Sequence, residues 1–150
     1  MRYLRKNPVY FLKDRLNVNK VIINADGAAR GNPGPAAIGA TIKDEGGNII
    51  ASISRRIGVT TNNQAEYRAI ITALEKAVSL GAKHVVLKSD SELVVQQING
   101  RYKIKNVALR PLYQEVVKLT GSLESFTVSY VPRSRNAEAD KLANKALDNM

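Results

Sequence analysis

The stretch that most constrains the fold is residues 21–35, where an apolar, β-branched run is followed by an acid and then by a turn rich in Gly, Asn and Pro. A short apolar run bounded by such a turn predicts a strand buried within a sheet. The acid, Asp26, comes at the predicted strand end, where the sheet fixes the backbone while the carboxylate faces a loop region. That position suits a metal ligand or an acid–base group. The alternative is that Asp26 only initiates the turn by bonding its own backbone.

The segments that follow predict two further strands and then strands that alternate with helices. The predicted strands are residues 21–25, 37–43, 49–57, 85–87 and 126–131. The predicted helices are one that starts within 60–66 and ends near residue 80, then residues 93–98, about 109–119, and 136–148. Three strands without an intervening helix predict an antiparallel meander, and the later strand–helix–strand units predict right-handed parallel crossovers. We therefore expect a mixed sheet with helices on its faces.

Composition is that of an ordinary globular domain, with 44% hydrophobic residues in 150. Because the chain has no cysteine, disulfides, thiolate metal sites and a cysteine nucleophile are excluded. No apolar run approaches the length of a membrane span, and no secretion signal is recognisable at the start. The sequence thus predicts one cytoplasmic domain over residues 20–150, with no membrane contact, preceded by a basic arm over residues 1–19.

The charge is strongly positive, with 23 basic against 13 acidic residues and a net charge of +10. Residues 1–20 hold six of these cations and a single acid, so half of the excess lies in the first 20 residues. A surplus of this size favours a polyanionic partner, and nucleic acid ranks before an anionic membrane surface. We expect the arm to raise the affinity for nucleic acid without adding sequence specificity.

Four acids lie where predicted strands or helices begin or end: Asp26, Glu66, Asp90 and Asp140. Each has an alternative interpretation that needs no function. Glu66 and Asp90 each fit within a capping box at the start of a helix, and Asp140 fits a first-turn acid on a solvated face.

Periodicity and topology favour convergence of these acids instead. Glu66 and Asp140 both share the helical spacing of the buried apolar residues. If the first and fourth strands are adjacent and parallel, Asp26 and Asp90 meet at the same end of the sheet. Several acids in one place repel each other unless cations lie among them. Oxygen ligands favour Mg²⁺ or Mn²⁺, and a pair of such ions suits in-line phosphodiester hydrolysis.

With these motifs in order, the chain resembles type 1 ribonuclease H over about residues 20–148. The motifs that carry the resemblance are Asp26-Gly27 with Gly31-Asn32-Pro33-Gly34-Pro35, then Thr61-Asn62-Asn63-x-x-Glu66, Ser89-Asp90-Ser91, and Asn136-x-x-Ala139-Asp140-x-Leu142-Ala143. The resemblance implies an α/β, ribonuclease H-like fold whose five-stranded mixed sheet has strand order 3-2-1-4-5, with helices on both faces.

The resemblance also implies a chemistry. Asp26, Glu66, Asp90 and Asp140 would hold two Mg²⁺ ions, with Mn²⁺ as an alternative. Asp26 would bridge both ions, Glu66 and Asp90 would hold the ion on the nucleophile side, and Asp140 would hold the other. The implied substrate is an RNA/DNA hybrid, cut in its RNA strand to leave 5′-phosphate and 3′-hydroxyl ends.

Five polar residues match positions that the family uses for substrate binding. Asn32, Asn62 and Asn63 match positions in the minor groove, where the 2′-hydroxyl distinguishes RNA from DNA. Thr61 and Asn106 match positions that hold a phosphate of the DNA strand.

Three departures from the family pattern stand out. The loop before the last acid lacks the histidine of many members, so Arg133 or Arg135 is the predicted substitute, and His84 is expected to be structural. The long basic protrusion of some members is replaced by residues 101–105. An arginine sometimes found before the Thr61 position is Val59 here.

Two rival functions remain open at this point. A nuclease of the same fold could also act on double-stranded RNA, and a non-catalytic module could bind hybrid without cutting it. The presence of all four acids argues against the module. A monomer is expected.

Overall fold

A computed structural model describes residues 18–149 of the chain. The predicted basic arm, residues 1–19, lies almost entirely outside the described residues and stays a prediction. The strands are β1 (Lys20–Ala29), β2 (Gly34–Lys43), β3 (Ile49–Thr60), β4 (His84–Ser89) and β5 (Ser125–Tyr130). The helices are α1 (Asn62–Ser79), α2 (Glu92–Ile98), α3 (Arg110–Thr120) and α4 (Ala137–Asp148), and a 3₁₀ turn (Arg133–Arg135) precedes α4.

The five strands form one mixed sheet in the order β3-β2-β1-β4-β5, which confirms the predicted order. β1 is central, antiparallel to β2 and parallel to β4. The parallel pairing of β1 with β4 ends where Ala25 lies opposite Ser89. The residue that follows each of these is an acid, Asp26 within β1 and Asp90 just after β4, so the register brings both to the same edge of the sheet.

Helices cover both faces of the sheet, as predicted. Alternate residues of β1 point to opposite faces, and Val21, Ile23 and Ala25 form with α1 the main apolar core. On the other face Ala37 packs against Leu147 of α4 in a smaller cluster. None of the helices formed by residues 18–149 combines the length and apolar character needed to cross a membrane.

Several element boundaries differ from the predicted ones. β1 continues to Ala29, since its last residues pair with β2, so Asp26 lies inside the strand and not at its end. Asp26 is nevertheless the first residue past the pairing with β4. The 3₁₀ turn before α4 has no clear periodic signal, because a single turn is too short to show one.

Candidate active site

Three carboxylates converge at the edge of the sheet where β1 extends beyond the end of β4. One oxygen from each of Asp26, Glu66 and Asp90 lies within 4.8 Å of the others, a spacing that can hold a metal ion. Asp26 comes from β1, Glu66 from α1 and Asp90 from the turn after β4. Asp140, from α4, lines the same cavity of about 430 Å³. The structure thus brings together all four acids that the sequence singled out.

The capping interpretations of Glu66 and Asp90 are wrong. Thr61 is the N-cap of α1 and its side chain accepts from Gln64 N, so Glu66 lies in the second helical turn. Ser91 is the N-cap of α2 and accepts from Val94 N, which leaves Asp90 outside the helix. Neither acid is needed to begin its helix. Asp140 does lie in the first turn of α4, as its alternative interpretation required.

Burial makes the acids costly to ionise together. Asp26 and Glu66 are each 5% exposed. Burial first, then the charge of Asp90 and then the proximity of Asp140 raise the pKa of the Asp26 carboxyl to about 7. Burial, and then the charges of Asp26 and Asp90, also raise the pKa of Glu66 well above its usual value. A nearby cation would reverse both effects.

Two glycines allow the helices to approach the sheet closely enough to form this cluster. A Cβ on Gly27 would overlap the backbone of Ala65, the residue before Glu66. A Cβ on Gly39 would overlap the backbone of Ala139, the residue before Asp140. Since Gly39 pairs with Asp26 across β1 and β2, the close approach of α4 occurs directly beside that acid.

Two asparagine side chains attach the start of α4 to β1. Asn136, 1% exposed, donates from Nδ2 to the carbonyl of Ala25 at 2.9 Å. Asn24 donates from Nδ2 to Asn136 Oδ1 at 3.1 Å. These bonds fix the position of α4, and therefore of Asp140, relative to Asp26.

Asp140 has two side-chain partners of its own. Arg133 lies 3.3 Å from Asp140 Oδ1, measured from Nη2. Asn144, one helical turn later, donates from Nδ2 to the same oxygen at 3.2 Å. Arg133, one of the two residues predicted to replace the histidine, therefore contacts Asp140.

Sequence reasoning missed three residues that line the carboxylate cavity: Arg30, Tyr130 and Asn144. The spacing of Asn144, four residues after Asp140 on one helix, was a usable signal. Arg30 forms an ion pair with Asp148 at the end of α4, and only the tertiary fold brings those two together. Tyr130 ends β5 and is half exposed.

Asn32 and Asn62 join the β1–β2 loop to the start of α1. Asn32 Oδ1 accepts from Asn62 N at 3.0 Å, and Asn62 Oδ1 accepts from Ala29 N at 3.2 Å. Both side chains therefore use their oxygens within the protein, while their Nδ2 groups bond no acceptor among residues 18–149. Asn62 also lines the carboxylate cavity.

The other predicted substrate-binding residues lie further along the same side of the molecule. Asn63 and Asn106 line a cavity of about 590 Å³ together with Arg101, Lys103 and Lys105. Asn106 Oδ1 accepts from Ala108 N at 2.8 Å, which shapes the loop before α3. Thr61 is the N-cap of α1, as described above.

Arg135 and His84 do not reach the carboxylates. Arg135 lines a different cavity, on the other side of the 3₁₀ turn. His84 begins β4, at the opposite end of that strand from Asp90, with Nδ1 2.7 Å from Ser125 Oγ and Nε2 3.1 Å from Glu124. Its contacts fit the structural role predicted for it.

Comparisons with known proteins agree with this architecture. A family model described as reverse transcriptase-like matches residues 24–146, a range that includes all four acids. The bifunctional protein Rv2228c of Mycobacterium tuberculosis is 45% identical over 130 residues, which are 86% of this chain and 36% of that protein. The ribonuclease HI of Halobacterium salinarum is 43% identical over 123 residues, 82% of this chain and 62% of that protein. The chain thus spans only part of the length of these curated relatives.

Solved structures show the same similarity. The crystal structure of RNase H1 from Halobacterium salinarum matches with a TM-score of 0.85 at 41% identity, covering 87% of this chain and 99% of that chain. The crystal structure of LC11-RNase H1 in complex with an RNA/DNA hybrid matches with a TM-score of 0.82 at 42% identity, covering 86% and 97%.

Proposed function

This chain belongs to the ribonuclease H family, and from that premise we propose that it hydrolyses the RNA strand of RNA/DNA hybrids at the carboxylate cluster. The observation that carries the proposal is the convergence of Asp26, Glu66 and Asp90 within 4.8 Å, with Asp140 on the wall of the same cavity. A hybrid is the substrate class because the similar LC11-RNase H1 was solved in complex with one.

The acids fit a divalent cation because their burial leaves negative charge without compensation. Glu66 Oε2 is a buried oxygen without a hydrogen-bond donor within residues 18–149. A buried carboxylate oxygen that lacks a donor is costly, and a metal ion is a partner that removes this cost. The raised pKa of Asp26 and of Glu66 reports the same lack of positive charge.

Asp26, Glu66, Asp90 and Asp140 would therefore hold a pair of Mg²⁺ ions, with Mn²⁺ as the alternative. When bound, such ions supply charge stabilisation at the reacting phosphate and lower the pKa of water. All four acids are oxygen donors, which these cations prefer.

The net reaction adds one water to the phosphorus of the RNA strand and breaks its bond to the 3′ oxygen. The products are a 5′-phosphate on one fragment and a 3′-hydroxyl on the other, the hydroxyl receiving a proton derived from water. The chain's own contribution is positioning: the bonds from Asn136 and Asn144 hold Asp140, and the close approach at Gly27 holds Glu66.

Arg133 acts in this proposal as a fixed positive charge beside Asp140. A guanidinium stays protonated in proteins, so it cannot shuttle a proton as an imidazole does. It can stabilise negative charge on the leaving strand or aid release of the phosphate product.

Recognition of the RNA strand is assigned to the asparagines at the start of α1 and in the loop before β2. Asn32 and Asn62 present Nδ2 donors that no residue within 18–149 accepts, and a 2′-hydroxyl oxygen can accept them. Asn63 would join them in the minor groove, and Thr61 and Asn106 would hold a phosphate of the DNA strand, Asn106 beside the cations at residues 101–105.

The test is cleavage of labelled hybrid with Mg²⁺ or Mn²⁺, compared with RNA duplex and DNA duplex. Asp90→Asn should lower the rate by at least about 10³-fold, roughly 4 kcal/mol of transition-state stabilisation. Glu75→Gln, an exposed charge change on α1, is the matched control and should keep the rate.

Two results would overturn the proposal. If the chain binds hybrid without cleaving it, and Asp90→Asn binds equally well, a non-catalytic module is correct. If RNA duplex is cut and hybrid is not, the fold carries a different nuclease.

A further inference from the structure

A second cavity lies on the α4 side of the sheet, separated from the carboxylates by the 3₁₀ turn. We name it the basic cavity and define it by six of its lining residues: Asn24, Lys43, Lys88, Arg135, Asn136 and Glu138. Its volume is about 450 Å³, close to the 430 Å³ of the carboxylate cavity. The 3₁₀ turn presents Arg133 to the carboxylate cavity and Arg135 to the basic cavity.

The cations of the basic cavity come from three different elements. Lys43 belongs to β2, Lys88 to β4 and Arg135 to the 3₁₀ turn. The acid that lines the cavity, Glu138, pairs with Lys43 at 2.8 Å. The side chains of Lys88 and Arg135 have no acidic partner and no hydrogen-bond acceptor within residues 18–149.

Among residues 18–149, the basic cavity has positive charge that no acid compensates, whereas the carboxylate cluster of Asp26, Glu66 and Asp90 has negative charge that no cation compensates. Lys88 is half-buried, so its charge is less well hydrated than that of an exposed lysine. Two cations that share a cavity without a compensating acid repel each other, and an anion between them removes that repulsion. The charges therefore favour an anionic ligand.

Two asparagines that line the basic cavity are held by hydrogen bonds close to the carboxylates. Asn24 and Asn136 bond each other, and Asn136 is anchored to the carbonyl of Ala25. Asn24 precedes Asp26 by two residues and so points to the same face of β1. Because two residues of a strand span about 7 Å, the basic cavity at Asn24 and the carboxylate cluster at Asp26 are about that far apart along β1.

We propose that the basic cavity binds a backbone phosphate of the nucleic-acid strand that passes through the carboxylate site. The inference rests on the proposed function, because it needs a polyanion whose next segment lies at Asp26. A phosphodiester fits better than a carboxylate ligand, since a guanidinium and an ammonium that line one cavity can both contact its oxygens.

The test measures hybrid affinity at several salt concentrations in EDTA, so that no cleavage occurs. Each lost phosphate contact lowers the slope of log affinity against log salt by about 0.7 to 1. Lys88→Gln and Arg135→Gln should each show this loss and bind several-fold more weakly at low salt. Lys88→Arg should keep the wild-type slope. Lys118→Gln, an exposed lysine on α3 that lines none of the described cavities, is the control and should change little.

The opposite charge change gives a test that a folding defect cannot mimic. Glu138→Gln frees Lys43 from its ion pair and makes the basic cavity more positive. We expect it to tighten hybrid binding and steepen the salt dependence, by more than Glu75→Gln does on α1.

Several outcomes would overturn the inference. One is that Lys88→Gln and Lys118→Gln change the slope equally. Another is that inorganic phosphate shifts the Asn24 side-chain amide signal in NMR while the hybrid slopes match the control, which would mean a free-phosphate site and no strand contact. Failure of the proposed function is distinguishable, because the wild-type preparation would then not cleave hybrid in Mg²⁺.

Discussion

At the scale of single residues, the site is a cluster of acids in a place that disfavours their ionisation. Asp26 and Glu66 are almost fully buried, and the charge of Asp26 raises the cost of ionising Glu66. The identity of the four acids could be predicted from the sequence, because each belongs to a recognisable motif. Their exact surroundings could not, since the contacts of Asp140 with Arg133 and of Arg30 with Asp148 depend on how the 3₁₀ turn and α4 pack.

The raised pKa of Asp26 predicts an unusual pH dependence of stability without divalent cations. Between the usual carboxyl pKa of 3.8 and about 7, the folded state binds a proton that the unfolded state has released. The contribution of Asp26 to the free energy of unfolding is therefore largest below pH 3.8. It decreases as the pH rises towards 7, by at most about 4 kcal/mol. Glu66 acts in the same direction.

Urea denaturation in EDTA at pH 5 and pH 7.5 measures this effect. Asp26→Asn should lose less stability than the wild type between the two pH values, and Mg²⁺ at pH 7.5 should stabilise the wild type and not the variant. Equal pH dependence in both proteins would show that Asp26 does not titrate as its burial requires.

Arg133 should influence the chemical step more than the binding of substrate. If it stabilises charge beside Asp140, Arg133→Gln lowers kcat about tenfold, equivalent to roughly 1.4 kcal/mol, with little change in KM. Arg133→Lys should recover part of the loss because it keeps the charge. Steady-state cleavage of hybrid measures both constants, and a rise in KM alone would assign Arg133 to substrate binding instead.

At the scale of elements, two close approaches of helix to sheet carry the site. The order of strands and helices was predictable, because each strand is a short apolar segment and each long helix has an apolar stripe. The end of β1 was not predictable. Gly27 and Ala28 adjoin the Gly/Pro loop and so are predicted to belong to the turn, yet pairing with β2 keeps them in the strand. The same pairing places Gly27 against α1 and Gly39 against α4.

Gly27→Ala and Gly39→Ala should both damage the site through backbone displacement. The added methyl overlaps the backbone of Ala65 or Ala139, so we expect about 1–3 kcal/mol of destabilisation and a loss of cleavage rate that persists under conditions where the variant is folded. Gly121→Ala, whose methyl would meet only ordinary contacts, is the control. A folded Gly27→Ala variant with the wild-type rate would contradict the account of how Glu66 is positioned.

A buried hydrogen bond joins α1 to α2 away from the acids. Tyr67, fully buried, donates to Gln97 Oε1 at 2.8 Å, and burial raises the pKa of its hydroxyl, which keeps it a donor. Tyr67→Phe leaves the Gln97 oxygen without that donor and should cost about 1–3 kcal/mol. Adding Gln97→Met should recover part of the loss. The midpoints of urea unfolding measure both, with the exposed Tyr102→Phe as control.

At the scale of the whole molecule, a chain with a net charge of +10 holds a cluster of acids. The net charge follows from the composition. The separation of an acidic cavity from a basic cavity by one turn could not be predicted from it. Lys43, Lys88 and Arg135 are far apart in the sequence and meet only because β2, β4 and the 3₁₀ turn share one face.

The basic arm, residues 1–19, should add affinity without adding specificity. Deleting it removes several cations, so the salt dependence of hybrid binding should become shallower while the ratio of rates on hybrid and RNA duplex stays constant. Binding titrations across salt concentrations measure the slope. An unchanged slope would mean that the arm does not contact the substrate.

If the four acids form one divalent-cation site, diffraction from crystals grown with Mn²⁺ above pH 7 should reveal the ion. We predict anomalous density among the carboxylates of Asp26, Glu66 and Asp90, with Asp140 on the same cavity wall. Ordered carboxylates with no anomalous density among them at saturating Mn²⁺ would contradict the proposed site.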